Sequence, residues 1–235
     1  MTGSLDFNQS DLSRAFAIAE WLHKEHYRKS APGEIDREVL YLTHLTEVLA
    51  LTVQATTKWE IHAAALLHDA FEDQPITPDG RPTREFIKAQ LGQRVHDLID
   101  ACTDGEPDEF GMKPRWKVRK EMHLAHMARL AEEDASFLII SLADKLSNAQ
   151  SIVHDVLTDG DIVWQRFPNA ETPANVAWYY NAMREVIVEH IGKAGGDTRV
   201  LVGRLNYYVN KVQELAAEAT AKGVTMKRPL ANESL

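Results

Sequence analysis

Apolar residues recur along this chain at steps of three and four. Leu12, Ala15, Phe16, Ala19 and Leu22 line one face of an amphipathic helix. Leu40, His44, Val48 and Leu51 mark a second, and Leu42, Leu45 and Leu49 widen its stripe. The run 59–71 is a third, and Phe86, Leu91, Val95, Leu98 and Ile99 mark a fourth. Pro114 stands where a first helical turn tolerates proline and opens a helix to about residue 131. The run 137–156 is apolar nearly all round at its start, which predicts a central helix. Two more periodic runs, 174–191 and 198–221, complete the set. The stretch FLIISL could pass for a buried strand, but no second strand-like run exists to pair with it. Gly, Pro and Asp gather at 30–33, 73–82, 104–113, 159–173 and 193–196, which predicts loops there. The expected fold class is all-α: a single helical bundle of about eight helices over residues 1–225, followed by a tail from residue 226 to 235.

Polar residues interrupt this pattern where a plain bundle has no use for them. His44 sits among Leu40, Leu45 and Val48, and Asp144 follows FLIISLA, with Asn148 one turn beyond it. The helix beginning AAALL ends in His68, Asp69, Glu72 and Asp73, so that His68 lies beside Glu72 and Asp69 beside Asp73 if the helix continues. An unpaired buried charge is costly. Each intrusion has an ordinary explanation: a hydrogen-bonded core histidine, a solvated helix end, or an Asp144–Lys145 pair. A single divalent cation explains all of them together, and two His with two Asp form a mixed nitrogen and oxygen ligand set suited to a borderline or hard metal.

Composition narrows the class of function. Of 235 residues, 44% are hydrophobic, enough for a core. Lys and Arg total 26 against 35 Asp and Glu, a net charge of −9, which argues against a polymeric DNA or RNA partner. A small anionic substrate needs only a local cluster of bases. No apolar run approaches the roughly 20 residues that span a bilayer, so no membrane partner is expected. No signal-peptide pattern opens the chain, and Cys102 is the only cysteine, which together suggest a reducing, cytoplasmic setting and an ordinary packed or half-exposed thiol rather than a nucleophile. Nothing in the sequence sets the oligomeric state.

The segments AAALLHDAFED and SLADKLSNAQSI resemble the HD-domain phosphohydrolases, and more narrowly the hydrolase domain of the RelA/SpoT-type alarmone enzymes and the free-standing small alarmone hydrolases. That branch carries an ALLHD–x–x–ED segment and a later LADRLHN segment; Lys145 and Ser147 depart from its Arg and His. LHKEHYRKS matches its H–x–GQ–x–RK segment at His23, Arg28 and Lys29, with Glu25-His26 in place of Gly-Gln. VLYLTH is similar to its PYI–x–H segment, but the stretch from Arg28 to His44 is longer here. VWQRF and AWYY resemble the C-terminal part of the free-standing members, and the likeness covers about residues 15–190. The resemblance implies that His44, His68, Asp69 and Asp144 bind one divalent metal, usually manganese in this family. It implies that Glu72 and Asp73 act on the attacking water. Arg28, Lys29, Lys145, Asn148 and a tyrosine of the WYY segment, Tyr179, would hold the nucleotide. The implied reaction removes pyrophosphate from the 3′ position of (p)ppGpp. Other nucleotides stay open as substrates (NADPH, adenosine-based alarmones, nucleoside monophosphates), as does a nucleotide-sensing module.

Other motifs point less far. The basic run KPRWKVRK, Lys113 to Lys120, reads as a solvated helix face or as a guide for a polyanion, with Trp116 as a core anchor. HKEH and HLAH each pair two histidines at i, i+3, and a second metal site at either is the less expected reading. GKAGG lacks the spacing of a phosphate-binding loop.

Overall fold

A computed structural model describes residues 10–30, 38–104 and 114–226. The expected tail after Met226, Lys113 and most of the loops at 30–33 and 104–113 lie outside these residues. Among the described residues the fold is all-α: α1 (Asp11–His23), α2 (Tyr41–Ala55), α3 (Trp59–Leu67), α4 (Ala70–Asp73), α5 (Thr83–Leu91), α6 (Gln93–Cys102), α7 (Trp116–Glu133), α8 (Leu138–Asp159), α9 (Pro173–His190) and α10 (Arg199–Ala221). FLIISL is helical, as expected.

Two of the expected helices are each divided, so eight periodic runs become ten helices. Gly92, at φ +88°, ends α5 and starts α6. That conformation is open to glycine and costly for other residues. The run 59–71 breaks at His68 and Asp69, leaving α4 as a single turn. Pro114 lies ahead of α7 rather than in its first turn, and Arg115 takes the N-cap position. Local chemistry sets other starts. Ser10 accepts from the Ser13 N–H, and Thr172 accepts from the Asn175 N–H with Pro173 following it.

α8 is the central helix. Leu138, Ile139, Ile140, Leu142, Ala143 and Leu146 are fully buried, and α8 packs against α2, α9 and α10 as well as α3 and α6. Each such leucine or isoleucine contributes about 1.5–3 kcal/mol by leaving water. Asp144 therefore sits in the most expensive place in the chain for a carboxylate.

The GKAGG segment has a structural explanation. Gly196 adopts φ +96°, and a Cβ there would lie 2.3 Å from the Ala55 carbonyl oxygen, which accepts from the Asp197 N–H at 2.8 Å. The turn seals the end of α2. Gly196→Ala is expected to cost at least about 1–3 kcal/mol through backbone strain and the clash, read as a lowered denaturation midpoint; an unchanged midpoint would contradict this close approach.

Candidate metal centre and its flanking cavities

His44 comes from the first turn of α2, His68 and Asp69 from the break between α3 and α4, and Asp144 from the middle of α8. Packing of α2 and α3 against α8 brings them together. His44 Nε2 lies 3.2 Å from Asp144 Oδ1 and 3.9 Å from Asp69 Oδ2. His68 Nε2 lies 3.1 Å from Asp69 Oδ2 and 3.6 Å from Asp144 Oδ1. Donor atoms of His44, His68 and Asp144 all fall within 4.8 Å of one another.

Hydrogen bonds on the far side of each ring decide its tautomer. His68 Nδ1 is 2.9 Å from the Ala65 carbonyl oxygen. A carbonyl only accepts, so Nδ1 carries the hydrogen and Nε2 carries a lone pair. That Nε2 is buried and has no hydrogen-bond partner. His44 Nδ1 lies 3.0 Å from Ser147 Oγ, whose own hydrogen goes to Glu47 Oε2 at 2.9 Å. Ser147 therefore accepts from His44, and His44 Nε2 also presents a lone pair. Two imidazole lone pairs and two carboxylates converge with no proton assigned between them. Such a set suits a cation, and the far-side hydrogen bonds are those that orient metal-binding histidines. Burial opposes charge on His68, but Asp69 and Asp144 hold its pKa well above the ordinary histidine range. Burial lowers His44.

Ser147 stands where the resembling branch has histidine, and its role was not legible from sequence: it closes the His44–Ser147–Glu47 relay. Asp144 is held at both oxygens, by Lys145 Nζ at 2.7 Å and Asn148 Nδ2 at 2.5 Å. The Asp144–Lys145 pair and the His–Asp cluster therefore coexist. Tyr41, which sequence reading passed over, donates its hydroxyl hydrogen to Asp69 Oδ2. Burial, then the charge of Asp69, raises its pKa and keeps that hydrogen in place. Its only sequence signal is its position three residues before His44.

Glu72 and Asp73 face different cavities, because adjacent residues on one helical turn diverge by about 100°. Glu72 lines a cavity of about 90 Å³ together with His68, Asp69, Asp144, Lys120, Lys145 and Tyr179. Its Oε1 accepts from the Asp104 N–H. Asp73 lines a second cavity of about 200 Å³ with His26, Arg28, Lys29, Tyr41, Asn148 and Arg166. Both residues are exposed to solvent at the mouths of these cavities. Desolvation and then the charge of Asp69 raise the pKa of each.

The longer stretch after Arg28 does not carry it away from the centre. The Arg28 N–H donates to Val39 O, and the Tyr41 N–H to His26 O, each at 2.8 Å, so two bonds pin residues 26–29 beside the start of α2. Arg28 Nη2 then donates to Asn148 Oδ1 at 2.9 Å. Arg28, Lys29 and Asn148 gather at one cavity, while Lys145 and Tyr179 gather at the other. Arg166 and Tyr180, not singled out from sequence, border the Arg28 cavity and a third, adjoining one that also holds Glu72 and Tyr179.

The basic run divides. Lys117 is exposed, with its ammonium 5.3 Å from the Trp178 ring centre. Lys120 and Arg119 instead pair with Asp104 at 2.6 and 3.1 Å beside Glu72, so this half is not a plain solvated face. Trp116 is partly buried and meets Trp178 and Tyr179 edge-on, an anchor for the cavity wall. Cys102 is half-buried, and desolvation pushes its thiol up to about 12, as expected for an unreactive cysteine. His123 faces Asp104 at 3.9 Å, and no metal-binding group of three forms around His123 and His126 among the described residues. His23 and His26, by contrast, meet Asp73. No helix of the described residues is long and apolar enough to cross a membrane.

Comparison with known proteins identifies the family. Residues 15–170 match the family described as the HD domain. The chain is 28% identical over 142 residues to a guanosine-3′,5′-bis(diphosphate) 3′-pyrophosphohydrolase of Aquifex aeolicus, covering 60% of this chain and 18% of the relative. It is 28% identical over 135 residues to the protein of the same name in Haemophilus influenzae, covering 57% and 18%. A probable GTP pyrophosphokinase of Mycobacterium leprae is 28% identical over 145 residues, covering 62% and 16%. The chain thus spans less than a fifth of the length of these curated relatives. The matched segment runs from the second turn of α1 to residue 170, beyond the end of α8, and its range includes His44, His68, Asp69 and Asp144. With the family match extending over well more than half of its length, the chain belongs to the HD-domain family.

Proposed function

We propose that this protein is a metal-dependent phosphohydrolase that removes pyrophosphate from the 3′ position of guanosine 3′,5′-bis(diphosphate) and its pentaphosphate relative. The observation that carries this reading is the convergence of two imidazole lone pairs and two carboxylates, with a second pair of carboxylates and two basic cavities around them. In this reading His44, His68, Asp69 and Asp144 hold one divalent ion. Manganese fits the mixed donor set and the family resemblance. Such an ion, when bound, polarises a phosphoryl oxygen and makes water a stronger nucleophile at neutral pH.

The chain's own residues do the rest. Glu72 or Asp73 takes the proton of the attacking water, and their raised pKa values move each toward the basicity this task needs. Tyr41 and Asn148 fix the orientation of Asp69 and Asp144. Arg28 is held by Asn148 through one guanidinium nitrogen, which leaves the others to receive phosphate oxygens. Lys29 lines the same cavity, and Lys145 and Tyr179 line the other face. The names of the relatives support guanosine polyphosphate over other nucleotides.

A nucleotide panel with manganese tests the reading by its products. GDP and pyrophosphate are expected from ppGpp. Absence of ppGpp cleavage, alongside efficient phosphate release from NADPH, an adenosine alarmone or a nucleoside monophosphate, would move the activity to that substrate. No turnover of any nucleotide, with tight binding of one, would make the protein a sensor. Arg28→Ala is expected to raise KM for ppGpp by about 10- to 100-fold, the loss of one or two charged hydrogen bonds. The effect on a monophosphate should be smaller and the metal content unchanged. Equal effects on both substrates would remove Arg28 from the phosphate site.

A further inference from the structure

We propose that His23, His26 and Asp73 form a second divalent-cation site, separate from the His44 cluster. His23 ends α1, and the chain turns there with the His26 N–H donating to His23 O at 3.1 Å. The turn stacks the two imidazoles, with ring centres 5.3 Å apart and planes within 20°. Their Nδ1 atoms face each other at 3.0 Å. Asp73, the last residue of α4, brings Oδ2 to 4.0 Å from His26 Nδ1. One donor atom from each of the three residues lies within 4.8 Å of the others.

The separation of the two nitrogens matches that of a shared ion as well as that of an N–H···N hydrogen bond. Histidine nitrogens bound at about 2.0–2.1 Å, at right-angled to tetrahedral angles, stand roughly 3.0–3.4 Å apart. The spacing therefore accommodates a shared ion once the rings tilt their lone pairs toward it, and Asp73 reaches the ion by a side-chain rotation. Proton counting points the same way. Only one hydrogen fits between two facing Nδ1 atoms. If His23 supplies it, His26 Nδ1 becomes an acceptor, and the Asp73 carboxylate faces a lone pair. His23 is 1% exposed, so its Nδ1 is shielded from bulk water. A cation bound to both Nδ1 atoms and to Asp73 removes the lone-pair conflict.

The surroundings set the character of the site. Tyr41 separates it from the first cluster: its ring stacks on His26 at 4.2 Å while its hydroxyl donates to Asp69. His26 and Asp73 are partly exposed and open onto the cavity that holds Arg28 and Lys29. Three protein ligands leave positions free on that side, where a phosphate oxygen or water can complete the shell. The nearby Arg28 and Lys29 charges weaken the hold on a bare ion, so this site binds less tightly than the His44 cluster. Two His and one carboxylate favour a borderline transition metal over magnesium or calcium. His26 occupies a position where the resembling branch has glutamine, so this ligand set is a property of the present chain.

The inference stands without the reaction proposed above and shares only Asp73 with it. Equilibrium dialysis of the metal-stripped full chain against cobalt(II), followed by its visible absorption, tests it without substrate. Two ions per chain are expected, with the weaker event lost in His26→Gln and the tighter one lost in His68→Ala. His26 is partly exposed, and an unchanged melting curve of the metal-free His26→Gln protein certifies its fold. Saturation of the wild type at one ion that His26→Gln retains would overturn the second site and leave the first intact. Two ions persisting in His26→Gln would also overturn it. Two ions persisting in His68→Ala would count against the first centre instead.

Discussion

Glu72→Gln is expected to lower turnover by about 100- to 10,000-fold, the usual contribution of a positioned general base, while the protein keeps its fold and the ion at the His44 cluster. Glutamine preserves the volume of the side chain and an oxygen able to accept from the Asp104 N–H. What it removes is the capacity to take a proton. Glu72 shares its cavity with His68, Asp69 and Asp144 but makes no ion pair with either histidine among those described, so its loss leaves the ligand set in place. Steady-state kinetics with metal analysis on the same preparation separates the possibilities. Near-normal turnover would remove Glu72 from proton transfer and leave Asp73 as the base. Loss of the ion would make Glu72 a ligand. Asp73→Asn is the companion experiment, because the two carboxylates approach the centre from different cavities.

His68→Ala is expected to have the largest effect on stability. In the intact protein an ion present at 100 times its dissociation constant stabilises the fold by about 2.7 kcal/mol. For a chain of this size that is roughly 5–10 °C in melting temperature. The variant loses this increment. It also leaves the Ala65 carbonyl without its imidazole donor and the Asp69 and Asp144 carboxylates facing each other with fewer compensating groups. Each buried polar group deprived of a partner adds about 1–3 kcal/mol. Thermal melts of wild type and variant, with and without manganese, measure both parts. A metal-dependent rise in melting temperature that survives intact in His68→Ala would exclude His68 from the site.

The helical architecture was legible because its signal is local. Apolar spacing in the runs 137–156, 174–191 and 198–221 placed α8, α9 and α10 to within a few residues, and the central position of α8 followed from its all-round apolar start. The same logic exposed His44 and Asp144, since a polar residue on a buried stripe is conspicuous against its neighbours. The helix break at His68 and Asp69 was not legible. Its residues are compatible with a continuous helix, and the turn is favoured by tertiary contacts that set His68 against Asp144 and Asp69 against both histidines. Gly92 carried a clearer signal, as a glycine between two apolar stretches, yet the pattern runs on through it.

Helical periodicity and the cost of burial act on residues three or four apart, so an all-α chain with charged and imidazole groups on apolar helix faces could be read from residue order. How those groups meet depends on contacts between distant segments. The lone-pair direction of His44 depends on Ser147, 103 positions away, and the placement of Arg28 depends on Asn148, 120 positions away. Asp104 joins Glu72 to Lys120, Tyr41 holds Asp69, and Asp73 completes the group begun by HKEH. None of these partners is fixed by spacing along the chain. They are chosen by the packing of α2, α3 and α8, which excludes water from the centre and obliges each buried donor and acceptor to find its partner within the protein.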